Sequence, residues 1–485
     1  MFRSGRIAAT ALTALTLNAC GGGAGGGSTA TGVTGSGTGG NTAPGPASFT
    51  LQNVEAAPYA VWADALATQP VTIKAHTQAT AHVALQLSYF DGLVGGSGAQ
   101  IVKPMFDDGT HGDEVAGDGI WTLTFTLGLA QPNELRLYDG LVDSVSIAIS
   151  AVGDSQAPVS PANSIDARID VSIVDRSLED EFPIRAANAT TQVTDNMINV
   201  VDPAFDESAI ERTLARVYAV IPGDPFDFAV LFHTRTTTDG VPRSIGVKND
   251  VGGINVAAFD HTAAYGSAGR LQQVAYQNAH TLGLEINHEI GHRWAAYLNS
   301  TALNLSLPTG FHWGASDHVG VMGNGPYLQQ DAGGYRVTNA ADSDKFIANP
   351  FSNLELYLMG LARPDEVPPY RFVTDPAVDV QFDTVVPAAS TRVVTIDDIV
   401  GVYGERAPAM AAAQNAFTAA FVVVSDRLLT KPEYTLTSLI ARHASGTSSG
   451  GKRDGGLFEA LDPPSFSAAT GYRATLDTLL PRPGI

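Results

Sequence analysis

Cysteine is nearly absent from this 485-residue chain: Cys20 is the only one, so no disulfide can close within it. Basic residues are also scarce. Lys and Arg number 28 against 49 Asp and Glu, giving a formal net charge of −21. Such a field repels phosphate backbones and anionic headgroups, and no Lys/Arg cluster interrupts it, so no nucleic-acid partner is expected. Beyond Cys20 no segment stays apolar for the roughly 18 residues that a membrane-spanning helix needs. What is present is core material: 44% of the residues are hydrophobic, enough to fill folded interiors. The length suggests about two or three domains.

The single cysteine has a telling position. Arg3 and Arg6 precede an apolar run over residues 7–17, about the length of a secretory h-region and too short to span a bilayer. Leu17-Asn18-Ala19-Cys20 resembles the bacterial lipobox. The resemblance implies a signal peptide over 1–19, removal of that peptide, and a lipid anchor through Cys20. Gly21 at the following position points by the same resemblance to the outer membrane or cell surface. After the cysteine, residues 20–47 are almost entirely Gly, Ser, Thr, Ala and Pro. That composition makes a flexible tether of roughly 25–30 Å r.m.s. span.

Residues 48–152 read as all-β. Short β-rich runs at 71–75, 81–89, 121–127, 135–138 and 142–151 are separated by Gly and Asp turns at sandwich-like spacing. Within them, Asp107-Asp108-Gly109-Thr110-His111-Gly112-Asp113 leads to Gly117-Asp118-Gly119-Ile120-Trp121-Thr122. This resembles a turn common in Ig-like domains of bacterial surface proteins, which implies an Ig-like sandwich. Its carboxylates (Asp107, Asp108, Asp113, Asp118) suit Ca²⁺. Plain turn chemistry is the favoured alternative, because the oxygen spacing is not that of an EF-hand. Residues 153–191 read as a linker or lead-in strand.

From 192 to 485 the pattern is mixed α+β. Ile210, Leu214, Val217 and Tyr218 give helical spacing over 207–220. Strands are expected at 226–232, 244–247, 253–259, 271–276 and 417–424, and helices at 352–361 and 433–443.

Between these elements lies His288-Glu289-Ile290-Gly291-His292. Histidines at i and i+4 stand one above the other on a helix, so both imidazoles can reach one Zn²⁺, and Glu289 lies on the adjacent flank as a proton acceptor. At 100° per residue, Glu285, His288, Glu289 and His292 form one stripe, while Ile286, Ile290, Trp294, Tyr297 and Leu298 form the opposite one. A helix with a wet metal face and a dry packing face is expected. The motif resembles that of the zincin metallopeptidases. The resemblance implies catalysis by metal-activated water and a cleft-lining edge strand before the helix, the slot occupied by 271–276.

The third ligand stays open. Metzincins require Gly and His where this chain has Ala295 and Leu298, so that pattern fails. Gluzincins bring a Glu from a following helix, and Glu355 is the favoured candidate because a helix delivers a ligand rigidly. Ser352-x-x-Glu355 is equally a capping box, which would spend the carboxylate on backbone amides. His312 and His318 are the alternatives, in a loop leading to Val321-Met322-Gly323, where Met322 is similar to the metzincin methionine turn. With Glu355 on the metal, His312 would stabilise the oxyanion.

The expected function is that of a zinc-dependent endopeptidase acting on peptide or protein substrates outside the cytoplasm. The alternative is a cell-surface adhesin or binding module on a zincin scaffold without turnover. A Cys20→Ser variant should be released from membranes or fail to mature, as shown by fractionation. Correctly processed variant that stays in the membrane fraction would contradict the anchor.

Overall fold

The computed structural model describes residues 51–77, 83–90, 100–129, 135–153, 167–235, 242–307, 311–323, 326–339, 349–375, 377–378, 380–446 and 463–481. The expected signal peptide, Cys20 and the 20–47 tether lie outside the described residues.

Alternation of apolar and polar residues builds the first eight strands: β1 (Leu51–Ala57), β2 (Ala60–Trp62), β3 (Pro70–Thr77), β4 (Val83–Phe90), β5 (Gln100–Pro104), β6 (Ile120–Thr126), β7 (Val142–Gly153) and β8 (Ala167–Val174). They form two sheets, ordered β1-β3-β6 and β2-β8-β7-β4-β5. Inward residues such as Ile73, Leu87, Ile147 and Val171 are fully buried in one shared core. β8 falls inside the stretch read as a linker. Ile169, Val171 and Ile173 give it a period of two, and it pairs along β7 from Ala167 to Val174. The all-β region therefore runs past 152 to 174. Residues 135–138, expected as a strand, contribute only the single bridge Leu137–Val142.

The second half is organised by an eight-stranded sheet. Its strands are β9 (Arg185–Asn188), β10 (Thr191–Val193), β11 (Ile198–Val201), β12 (Phe228–His233), β13 (Arg243–Gly246), β14 (Gln273–Asn278), β15 (Ala416–Ser425) and β16 (Thr475–Asp477). The order is β13-β14-β12-β15-β11-β10-β9, with β16 beside β15. The central strands β14, β12, β15 and β11 are parallel, and β13 closes one edge antiparallel to β14. Every residue of β12 and β14 is buried, as expected of parallel strands covered on both faces. Helix α1 (Ile210–Val220) packs Ile210, Leu214 and Val217 on one face, against Leu231, Val274 and Val422. The other face receives α2 (Ile286–Gly291), α3 (Asn353–Met359) and, beyond α4 (Ile396–Tyr403), α5 (Lys431–Ala444). The strand expected as the cleft-lining edge is thus interior, and Arg243–Gly246 takes the edge instead.

The two halves share a core. Tyr59, Trp62, Tyr138 and Val142 from the first lie in one apolar cluster with Ile286, Leu439 and Ile440 from the second. Polar groups are matched across the seam. Tyr59 N–H donates to Glu433 Oε1 (2.8 Å), and His280 places its ring nitrogens 2.9 and 2.8 Å from the carbonyl oxygens of Asp170 and Thr234. Tyr138 Oη–H donates to the carbonyl of Leu282 (2.6 Å), a left-handed residue (φ 57°) four positions before α2 begins. The sandwich therefore props the segment that leads into α2. Tyr138→Phe, which removes that donor, should cost about 1–3 kcal/mol in denaturant unfolding. A variant as stable as the parent would show that the prop carries no load.

Candidate metal centre

Helix α2 is too short to be stable alone, so tertiary contacts place it. Gln273 on β14 donates from its amide to the Glu289 carbonyl and to Ser244 on the edge strand, fastening the helix backbone to the sheet. Bonds from Glu289 N–H to Glu285 O (2.9 Å) and from His292 N–H to His288 O (3.2 Å) carry helical geometry through His292. Beyond it the chain turns, with Ala296 in the left-handed region (φ 70°), so Trp294–Leu298 do not continue the helix. Nor is one face wet: His288, Glu289 and His292 are 2%, 0% and 3% exposed, and Ile286 and Ile290 are buried behind them. The two faces differ in polarity, not in access to water.

His288, His292 and His312 each offer a ring nitrogen, and these lie within 4.8 Å of one another. His288 Nδ1–H donates to the Val321 carbonyl (2.9 Å), which leaves its Nε2 lone pair facing His312 Nε2 at 3.1 Å. Tetrahedral zinc with Zn–N bonds near 2.0–2.1 Å sets its donors about 3.3 Å apart, close to the 3.1 Å between His288 and His312. Among the described residues, both ring nitrogens of His292 are buried without a hydrogen-bond partner. Burial drives all three imidazoles toward the neutral form. His288 is pushed down to about 4 against the pull of the Val321 carbonyl, His312 to about 3 with His288 adding to the effect, and His292 well below the usual histidine range. Neutral imidazoles present the lone pairs that a metal requires. The group could therefore hold a metal ion.

The ground beneath α2 is equally specific. Val321-Met322-Gly323 turns tightly, with Gly323 N–H donating to Gly320 O (3.2 Å), and Met322 is fully buried. A Cβ at Gly291 would sit 2.6 Å from Met322 Sδ and 3.0 Å from Phe351 Cε1. Only glycine lets the helix descend this far.

Two expected site residues are elsewhere. Glu355 is not part of the histidine group. Oε1 accepts the Trp313 indole N–H and the Met322 N–H, both at 3.0 Å, and Oε2 accepts the Ser352 N–H at 2.8 Å, completing a capping box on α3. His312, expected as a separate oxyanion stabiliser, is instead the residue that completes the group that could hold a metal ion. His318 is also outside the group, with Nε2 2.5 Å from Ser352 Oγ.

In the sandwich, Asp107, Asp113 and Asp118 form a second group that could hold a metal ion. Asp108 is not among them; its Oδ1 accepts Thr110 N–H (3.0 Å). The others already accept backbone donors: Gly109 N–H to Asp113 (2.7 Å), and Gly117 and Gly119 N–H to Asp107 (2.8 and 3.2 Å). These bonds and the positive φ of Gly109, Gly117 and Gly119 are turn chemistry sufficient in itself.

No family model, no curated protein and no solved structure matches this chain. The geometry stands alone. His312→Ala should lower affinity for a divalent metal by more than about 100-fold, beyond the 10–100-fold typical of residues that only orient ligands, while His318→Ala should leave it within threefold. Chelator competition measures both, and the reverse ranking would move the third donor to His318.

Proposed function

We propose that the chain is a zinc-dependent endopeptidase with a zincin-type centre, carried behind an Ig-like sandwich and held by a lipid anchor outside the cytoplasm. The observation that carries this reading is the convergence of three buried, neutral imidazoles, two of them from the helical turn that also carries the buried Glu289. His288, His292 and His312 would hold the ion. Three uncharged ligands leave it the full dication charge, where a ligand set with a glutamate would halve it. Zinc held there would supply Lewis acidity, polarising a carbonyl and bringing the pKa of water near 7. Glu289 takes the proton from the attacking water and returns it to the departing amine. The Val321 carbonyl favours the His288 tautomer protonated at Nδ1, which leaves Nε2 able to act as the ligand atom.

One observation favours a second reading. Glu289 and the histidines are almost wholly enclosed, which gives a substrate little access to them, so an adhesin or binding module without turnover also fits. Glu289→Gln separates the two. It should keep the metal while hydrolysis of unstructured protein substrates falls about 10²–10⁴-fold. Metal-loaded parent protein that cleaves nothing across a broad peptide panel would favour the binding reading.

A further inference from the structure

We propose that Glu355 is the positioning residue of the metal centre: one carboxylate fastens both the segment that carries His312 and the turn whose carbonyl orients His288. The proposal rests on the metal-centre reading above.

Helix capping needs only Oε2, which accepts the Ser352 N–H. Oε1 has no part in the helix. It accepts from Trp313, the residue after His312, and from Met322, the residue after Val321. Val321 is the partner of His288 Nδ1. One oxygen therefore sets the spacing between a donor histidine and the acceptor that aims another. The fit is close on every side. Glu355 is fully buried, and a Cβ at Gly320 would lie 2.2 Å from Oε2, so the loop passes over the carboxylate in direct contact.

The three groups that meet the carboxylate are all N–H donors, which demands a group that only accepts. Glutamine would turn its NH₂ against at least one of them, and aspartate would fall one methylene short. Burial raises the pKa of Glu355, while the N–H groups of Ser352 and Met322 and the Trp313 indole act to lower it.

The test uses the full chain, loaded separately with Zn²⁺ and Co²⁺. Chelator competition gives affinity, the cobalt absorption bands report coordination geometry, and thermal unfolding reports the fold. Glu355→Gln should still bind one metal per chain, with affinity reduced about 10–100-fold and shifted cobalt bands. Ser352→Ala removes the hydroxyl that accepts the Glu355 N–H (3.2 Å) and so breaks that half of the cap without touching Oε1; it should lower Tm and leave affinity and bands unchanged. Trp313→Phe removes one donor to Oε1 and should shift the bands in the same direction, which keeps the test decisive if Glu355→Gln fails to fold. The proposal is overturned if Glu355→Gln and Trp313→Phe both leave affinity and bands as they were, since Glu355 is then only a cap. Loss of the metal from Glu355→Gln to the extent seen in His312→Ala would make it a ligand and overturn the proposal equally. Parent protein that takes up neither ion would refute the underlying metal-centre reading, a result distinct from either.

Discussion

Three imidazoles are buried side by side, His288 and His312 facing each other through their Nε2 atoms and His292 with both ring nitrogens unpaired among the described residues, and the surrounding structure is arranged around that constraint. A buried polar group left unpaired costs about 1–3 kcal/mol, and His292 alone has two such nitrogens. Desolvation keeps the rings neutral, so they cannot escape the cost by taking up protons at neutral pH. A cation accepting the three lone pairs relieves it. The enclosure that makes unpaired nitrogens costly would also strengthen the group's hold on an ion, because a low-dielectric site screens charge poorly.

The scaffold explains how so short a helix can carry such a centre. α2 is held from three sides: Gln273 on the sheet grips the Glu289 carbonyl, Met322 fills the space that Gly291 leaves, and Tyr138 holds Leu282 in the approach. The last contact comes from the sandwich, and its Tyr59, Trp62 and Val142 lie in the same core as Ile286 and Leu439. The N-terminal sheets are therefore part of the framework of the centre and not only a spacer before it. Buried cations elsewhere serve framework roles too. Arg406 donates to the carbonyls of Leu358 and Met359 and so closes the C-terminal end of α3, the helix that presents Glu355.

Local chemistry was readable in the sequence, and long-range chemistry was not. His288 and His292 come together because four residues make one helical turn, a relation written in their spacing. His312 arrives 24 residues after His288 through a loop, and no periodicity records that approach. The Glu355 expectation failed for an instructive reason: Ser352-x-x-Glu355 is a local signal for a capped helix, and the local signal prevailed over the analogy that sent the carboxylate to the metal. The predicted apolar stripe through Trp294 and Leu298 was real as a pattern of burial but not as a helix, since Ala296 breaks the geometry. β8 was hidden by its polar and acidic neighbours, although Ile169, Val171 and Ile173 alternate clearly once the boundary at 152 is dropped. Which strand forms the sheet edge depends on pairing order, which no single strand encodes.

The central claim is the identity of the three donors, and X-ray absorption at the zinc edge of the loaded, full-length protein tests it most directly. The account predicts one zinc per chain, with three imidazole nitrogens at about 2.0–2.1 Å and the multiple-scattering signature of three rings. A spectrum with two imidazoles and a protein carboxylate, or protein purified without chelator that takes up no zinc, would contradict it.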